Sequence, residues 1–143
     1  IDLWLTEEYQ ENTIRKLLTA ALQKGLDITE IILVPLSDPA LQTLVIASDY
    51  YCKFIKEAES NIIGEKINTF LSNESVMRER RGKSYDLRLL VRALAYIGLP
   101  EPGIEMRLSA LPGATGRPEE VLDELAINLN DVQIKRTNLV LKS

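Results

Sequence analysis

Three arginines lie beside segments whose other residues are typical of a protein core, and one of them follows a loop that contains two glycines. Flexible glycine backbone and free N–H groups at a helix start attract anions, especially beside a guanidinium group. The other two arginines stand in strand-like runs that would bring them to the same place. The sequence therefore predicts an anion- or substrate-binding site composed of Arg88, Arg117, Arg136, Gly113 and Gly116.

A purely structural interpretation of the same residues stays open. A phosphate-binding loop needs Gly-Lys-Ser/Thr after its second glycine, and the run from Pro112 to Gly116 continues with Arg117 instead. The loop would then be an ordinary turn, and the three arginines would each form an ion pair with a nearby carboxylate. The candidate partners are Asp86, Glu105 and Glu119.

A second group of positive charges occupies residues 78 to 92, where six basic residues accompany two acidic ones. Such an excess would attract a polyanion, and it would equally prevent a sheet edge from pairing with another chain. RNA is a candidate ligand, although aromatic residues, which stack on bases, make up only 6% of the chain. Apart from Arg88, the predicted basic surface consists of Arg78, Arg80, Arg81, Lys83 and Arg92.

The composition argues against catalysis by the chain itself. It has no histidine and one cysteine, so it offers no Ser-His or Cys-His pair and no zinc ligand set. Cys52 lies in a strand-like run, where we expect a buried structural thiol. We predict no catalytic residue and no metal site.

Amphipathic patterns predict an α+β fold in which helices cover one face of antiparallel sheets, built from ferredoxin-like strand-helix-strand units. The first unit, residues 1–36, comprises a strand at 1–6, a helix with Ile14, Leu17 and Leu18 on its apolar face, and a strand at 28–34. Asn12 or Thr13 would cap that helix. Half a core is not stable alone, so this unit needs strands from the rest of the chain, from another copy or from a segment upstream.

The second predicted domain is residues 37–143. After a short helix near residue 41 we expect a strand at 50–56, a helix from Ile62 to Leu71, a hairpin at 76–91 that turns at Gly82, and a half-buried strand around 104–108. A helix starting at Pro118 and a strand at 132–141 complete the order.

In this order and spacing, several segments resemble the radical-SAM-linked family, a domain of unknown function fused behind cobalamin-binding radical SAM proteins or encoded apart from them. The resemblance covers nearly the whole chain, which looks like an N-terminally truncated member. The segments that carry it are Ile1–Thr6, Gly25–Ile28, Tyr85–Arg88, Gly103–Leu125 and Arg136–Thr137.

The resemblance implies an accessory domain of a radical SAM enzyme, in cis or in trans, that recognises or presents a substrate such as RNA or another anionic group. The alternative is an interaction module that docks on the enzyme or forms a homodimer through an open sheet edge. S-adenosylmethionine, a [4Fe–4S] cluster and cobalamin would belong to the associated enzyme, because a cluster needs several cysteine thiolates. A lone cysteine and the lack of a long apolar run predict a cytoplasmic protein without a membrane partner.

Overall fold

A computed structural model describes residues 1–57 and 59–142. The chain divides into two compact units, Ile1–Leu44 and a second that begins at Val45. The α+β class and the antiparallel sheets predicted from the sequence are confirmed.

The first unit contains two helices, α1 (Glu11–Ala21) and the single turn α2 (Leu41–Leu44). The strands predicted at 1–6 and 28–34 are wrong, because the described residues from 1 to 44 form no strand. Their apolar, β-branched composition is suited to a sheet, but a strand exists only when a neighbouring strand accepts its hydrogen bonds. The predicted Asn12 or Thr13 cap is also wrong, since α1 begins after Gln10 and has no side-chain cap.

The second unit is built on one antiparallel sheet. Its strands are β1 (Val45–Phe54), β4 (Val91–Ile97), β5 (Gly103–Leu111) and β7 (Val132–Leu141), and the two-residue β6 (Ala114–Thr115) pairs with β5. The strand order is β4-β5-β1-β7. The helices are α3 (Ser60–Ser72) and α4 (Pro118–Glu124). Short 3-10 turns occupy Arg88–Leu90 and Leu129–Asp131.

This order of elements completes a ferredoxin-like βαββαβ arrangement within the second unit alone. The first strand-helix-strand half is β1-α3-β4, the second is β5-α4-β7, and β1 and β5 are central. The ferredoxin-like units that the sequence predicted therefore exist, but neither lies in residues 1–36.

One face of the sheet forms the core with both helices. Alternate residues of β5 point inwards, namely Ile104, Met106 and Leu108, as their alternation predicted. From the helices come Ile63, Ile67, Phe70, Val121 and Leu122. On the opposite face, Asp49 of β1 lies beside Arg107 of β5.

Two further strands form the hairpin of β2 (Met77–Arg80) and β3 (Lys83–Asp86). Arg81 and Gly82 both have positive φ, which is the backbone of a two-residue hairpin turn, so the predicted turn at Gly82 is confirmed. The hairpin was predicted to continue to Val91, and this is wrong. A turn follows Asp86, and β4 begins at Val91 as a separate strand of the main sheet.

Candidate recognition surfaces

Arg88 stands at the C-terminal end of α3, where its guanidinium donates to main-chain carbonyls. Its Nε and Nη2 each lie 3.4 Å from the Leu71 oxygen, and Nη1 lies 3.2 Å from the Val91 oxygen. The guanidinium carbon is 6.0 Å from the centre of the Phe70 ring. A cation here stabilises the negative end of the helix dipole and joins α3 to the start of β4.

Asp86 holds the backbone that presents Arg88. Its Oδ1 accepts the N–H groups of Val76 and Arg88, each at 2.9 Å. Hydrogen bonds from backbone N–H groups, first that of Val76, lower the pKa of Asp86. Asp86 was a candidate ion-pair partner for the three arginines. In the structure its carboxylate forms the turn by accepting these two backbone N–H groups.

The hairpin arginines of the predicted basic surface pair with α4. Arg78 donates to Asp123 at 2.6 Å and to Glu124 at 2.9 Å, and Arg80 donates through Nε to Glu120 at 2.8 Å and through Nη2 to the same carboxylate. These bonds raise the pKa of both guanidinium groups, with Asp123 the largest cause for Arg78 and Glu120 for Arg80. Two of the predicted surface cations are therefore neutralised.

Arg80 also lies over an aromatic ring, a contact that the sequence did not suggest. Its guanidinium carbon is 4.7 Å from the centre of the Tyr85 ring, and its Nη1 donates to the Thr115 oxygen at 3.1 Å. An alternating charge pattern in β2, with arginines two residues apart, is the signal that would have suggested a charged partner.

The two glycines of the predicted loop have specific structural roles. Gly113, with φ +73°, follows Pro112 in the tight turn between β5 and β6. Gly116 donates its N–H to the Ser109 oxygen at 2.8 Å, and a Cβ added there would lie 3.1 Å from that of Leu108. The run from 112 to 116 is thus a hairpin turn followed by a tightly packed glycine.

Arg117 and Arg136 remain exposed. Arg117 is the residue before the first turn of α4, and Arg136 lies opposite Tyr50 where β7 pairs with β1. Within residues 1–57 and 59–142, neither side chain forms an ion pair or a hydrogen bond. That they share one ligand with Arg88, Gly113 and Gly116 stays a prediction.

The rest of the predicted basic surface is divided between two places. Arg81 and Lys83 are exposed at the hairpin turn, and Arg92 lines an open concavity of about 540 Å³ together with Arg88 and Leu89. Asn73, Glu74 and Val91 complete its lining. The lining of this concavity therefore includes positively and negatively charged side chains and one exposed leucine.

Cys52 is fully buried in β1, and burial raises the pKa of its thiol to about 12. The thiol therefore stays protonated at neutral pH and is a poor nucleophile and a poor metal ligand. Among the described residues, no group of three or more cysteine, aspartate or glutamate side chains is placed to hold a metal ion.

Exposed apolar side chains are concentrated in the first unit. None of residues 1–44 is buried, whereas the second unit has a contiguous core. Leu17 on the apolar face of α1 is 61% exposed, and Leu33 is 97% exposed. The other large apolar residues exposed in this unit are Ile1, Leu3, Trp4, Leu5, Tyr9, Leu22, Leu26, Ile32, Val34 and Leu36.

The fold and these surfaces define a small α+β domain of ferredoxin-like strand order with an additional segment that lacks a core. A family model described as "Uncharacterized protein conserved in bacteria (DUF2344)" matches residues 1–119. The chain belongs to this family. No curated protein and no solved structure matches it. Among the described helices, none has the length and apolar character needed to cross a membrane.

Proposed function

We propose that the chain is a non-catalytic accessory domain that works with a radical SAM enzyme, in cis or in trans. The resemblance of its segments to the radical-SAM-linked family supports this proposal. The chain has a single cysteine, and that residue is buried, so the cluster, S-adenosylmethionine and cobalamin bind in the associated enzyme.

Of the two roles open to such a domain, docking on the enzyme has the stronger support. The observation that carries it is the contrast in burial: residues 1–44 contain no buried residue and expose twelve large apolar side chains. Clustered apolar exposure of this kind marks interaction surfaces in folded proteins. Covering one such side chain fully would contribute about 1.5–3 kcal/mol, so several of them would have to be covered together to offset the cost of association.

The test measures binding of this chain to the radical SAM protein of the same bacterium by isothermal titration calorimetry. The variant Leu33→Ser removes an apolar side chain from the first unit, and Leu99→Ser removes one of similar exposure, 89%, from the second. We expect Leu33→Ser to weaken binding about tenfold, the equivalent of about 1.4 kcal/mol, and Leu99→Ser to leave it unchanged. Absence of binding by the unaltered chain, or equal losses in both variants, would contradict docking through residues 1–44.

Recognition of an anionic substrate is the second candidate, and the two arginines without a carboxylate partner favour it. Arg117 and Arg136 are exposed, and within the described residues their side chains form no ion pair or hydrogen bond. An exposed guanidinium retains all its donors for a phosphate or carboxylate of a ligand. Arg88, the third arginine of the predicted site, already donates to two main-chain carbonyls, so it would contribute charge rather than a free binding group.

This candidate is tested by titrating single-stranded RNA at several salt concentrations. If both arginines contact phosphates, the double variant Arg117→Ala/Arg136→Ala lowers the slope of log affinity against log salt by about 1.4, since each contact with a single strand contributes about 0.7. Arg78→Ala, whose guanidinium is occupied by Asp123 and Glu124, is the matched control and should leave the slope unchanged. An unaltered slope in the double variant rejects RNA contact by these arginines.

A further inference from the structure

We infer that the run from Thr29 to Val34 is a strand that forms on binding, by pairing with a basic β-strand of another polypeptide. The inference rests on the proposed docking role of residues 1–44 and specifies its chemistry. Three features of this unit carry it: the composition of the run, the state of its backbone and the charge around it.

The run has the composition of a strand whose two faces are both covered. Thr29, Ile31, Ile32 and Val34 are β-branched, and Pro35 follows as a natural end. Apolar residues stand consecutively rather than alternately at 31–34, which is typical of strands with protein on both sides. In the structure Ile31 is half-buried, whereas Ile32, Leu33 and Val34 are exposed.

The backbone of the run is available for pairing. The chain forms neither strand nor helix from residue 29 to 34, and within the described residues these six positions take part in no backbone–backbone hydrogen bond. Its ends are fixed, because Arg15 of α1 donates to the Ile28 oxygen at 3.0 Å and Asp38 donates to the Pro35 oxygen at 3.0 Å. A segment whose N–H and C=O groups are not engaged by other backbone groups can add to the edge of a sheet.

Charge identifies the kind of partner. Residues 1–44 contain three basic and seven acidic side chains, a net charge of −4, whereas residues 45–143 contain fourteen of each. A second copy of the same unit would bring another −4 to the interface, and like charges disfavour that pairing. Asp27 lies just before the run and Glu30 lies within it. A strand with lysine or arginine at its polar positions would complement these two carboxylates.

The amphipathic helix α1 supplies the second layer of this interface. Its half-buried Ile14 and Leu18 and its exposed Leu17 form one stripe, and Arg15 joins the helix to the start of the run. An apolar helix stripe is stable when it covers the face of a sheet. Pairing of the run with an incoming strand would provide that face.

The experiment uses the whole chain and three short synthetic peptides that alternate valine with lysine, with glutamate or with serine. Amide hydrogen exchange is followed at residues 29–34. We expect the valine–lysine peptide to slow exchange there by about tenfold or more, while the glutamate and serine peptides have little effect. Equal protection by all three peptides would overturn the charge argument, and protection by none would overturn strand pairing.

Two proline variants separate strand formation from adhesion of a cationic peptide to an acidic surface. Ile32→Pro removes an N–H in the middle of the run, whereas Leu36→Pro places the same residue at the second position of the turn Pro35–Asp38, where proline is compatible. Protection by the lysine peptide should be lost in Ile32→Pro and kept in Leu36→Pro. Equal protection in both variants contradicts strand pairing.

Other pairing partners of residues 29–34 would give different results in the hydrogen-exchange experiment. Protection that rises with the concentration of the chain alone indicates a second copy, and protection of a monomer without peptide indicates pairing within the chain, and either result overturns the inference. The docking proposal is judged separately. If Ile32→Pro binds the radical SAM protein normally while Leu33→Ser does not, docking stands and strand pairing falls.

Discussion

The helices α1 and α3 show how similar sequence patterns lead to different states in the two units. Each has apolar residues spaced on one face, yet α3 buries Ile63, Ile67 and Phe70, and α1 buries no residue. The difference is the sheet beneath them: α3 packs against β4 and shares the core with β1 and β5, and no strand exists in residues 1–44. An amphipathic pattern therefore specifies which face would be buried, and a paired sheet decides whether it is.

The largest difference between the units should appear in truncation of a leucine. Leu122→Ala in α4 removes a fully buried side chain, and we expect it to lower the free energy of unfolding by about 2–5 kcal/mol. Leu17→Ala in α1 should change it by less than about 0.5 kcal/mol, because that side chain is mostly exposed. Urea denaturation followed by circular dichroism measures both. Similar losses in the two variants would mean that α1 has a packed core.

The accuracy of sequence-based prediction follows the same division. In the second unit the alternation of Ile104, Met106 and Leu108 and the Pro118 helix start predicted β5 and α4 correctly. Strand β4 was missed because a register shift between Val91 and Ala93 interrupts its alternation. In the first unit two segments have the composition of strands, but composition does not show whether a neighbouring strand is present to pair with them.

For the candidate site, the sequence predicted turns from local patterns correctly, but it did not predict which distant side chains form ion pairs. The positive φ of Gly113 and Gly82 agrees with turns expected from sequence. The pairing of Arg78 and Arg80 with the carboxylates of α4 joins residues about forty positions apart, and no local pattern specifies it. Side-chain charges alone could not show which arginines are neutralised.

The two glycines at positions 116 and 64 should respond oppositely to alanine. Gly116→Ala would place a Cβ 3.1 Å from the Leu108 Cβ and 3.3 Å from the Leu90 oxygen, and we expect a loss of about 1–3 kcal/mol. Gly64→Ala in α3 meets no atom within 4 Å and should stabilise by about 0.5–1 kcal/mol. Thermal denaturation checks the signs. A neutral Gly116→Ala would show that this glycine is not held by packing.

Ion pairs in the two units should differ more modestly. A double-mutant cycle with Arg80→Ala and Glu120→Ala should give a coupling energy of about 1 kcal/mol, because the pair is bidentate and partly buried. The exposed pair of Arg15 and Glu11 in α1 should give about 0.3–0.5 kcal/mol. Equal couplings would show that the bidentate, partly buried geometry of the Arg80–Glu120 pair adds no strength over an exposed helix pair.

The smallest expected effect is on the stability of the second unit at acid pH. Hydrogen bonds from Arg107 lower the pKa of Asp49 below its usual 3.8, with burial opposing and Asn138 assisting. The ionised carboxylate therefore stabilises the folded second unit above that pH, and this contribution is lost as the pH falls through the lowered pKa. Asp49→Asn should flatten the decline of the urea midpoint below about pH 4, where an unperturbed aspartate titrates. An unchanged decline would assign the acid sensitivity to other carboxylates.

The central claim is that the second unit is a complete fold while residues 1–44 lack the sheet they would cover, and amide hydrogen exchange of the free monomeric chain tests it most directly. Paired amides of β1 and β5 should exchange only through global or large-scale opening, whereas those of residues 29–34 should exchange at rates close to those of an unfolded chain. Protection of residues 29–34 equal to that of β1 in the monomer would contradict the account.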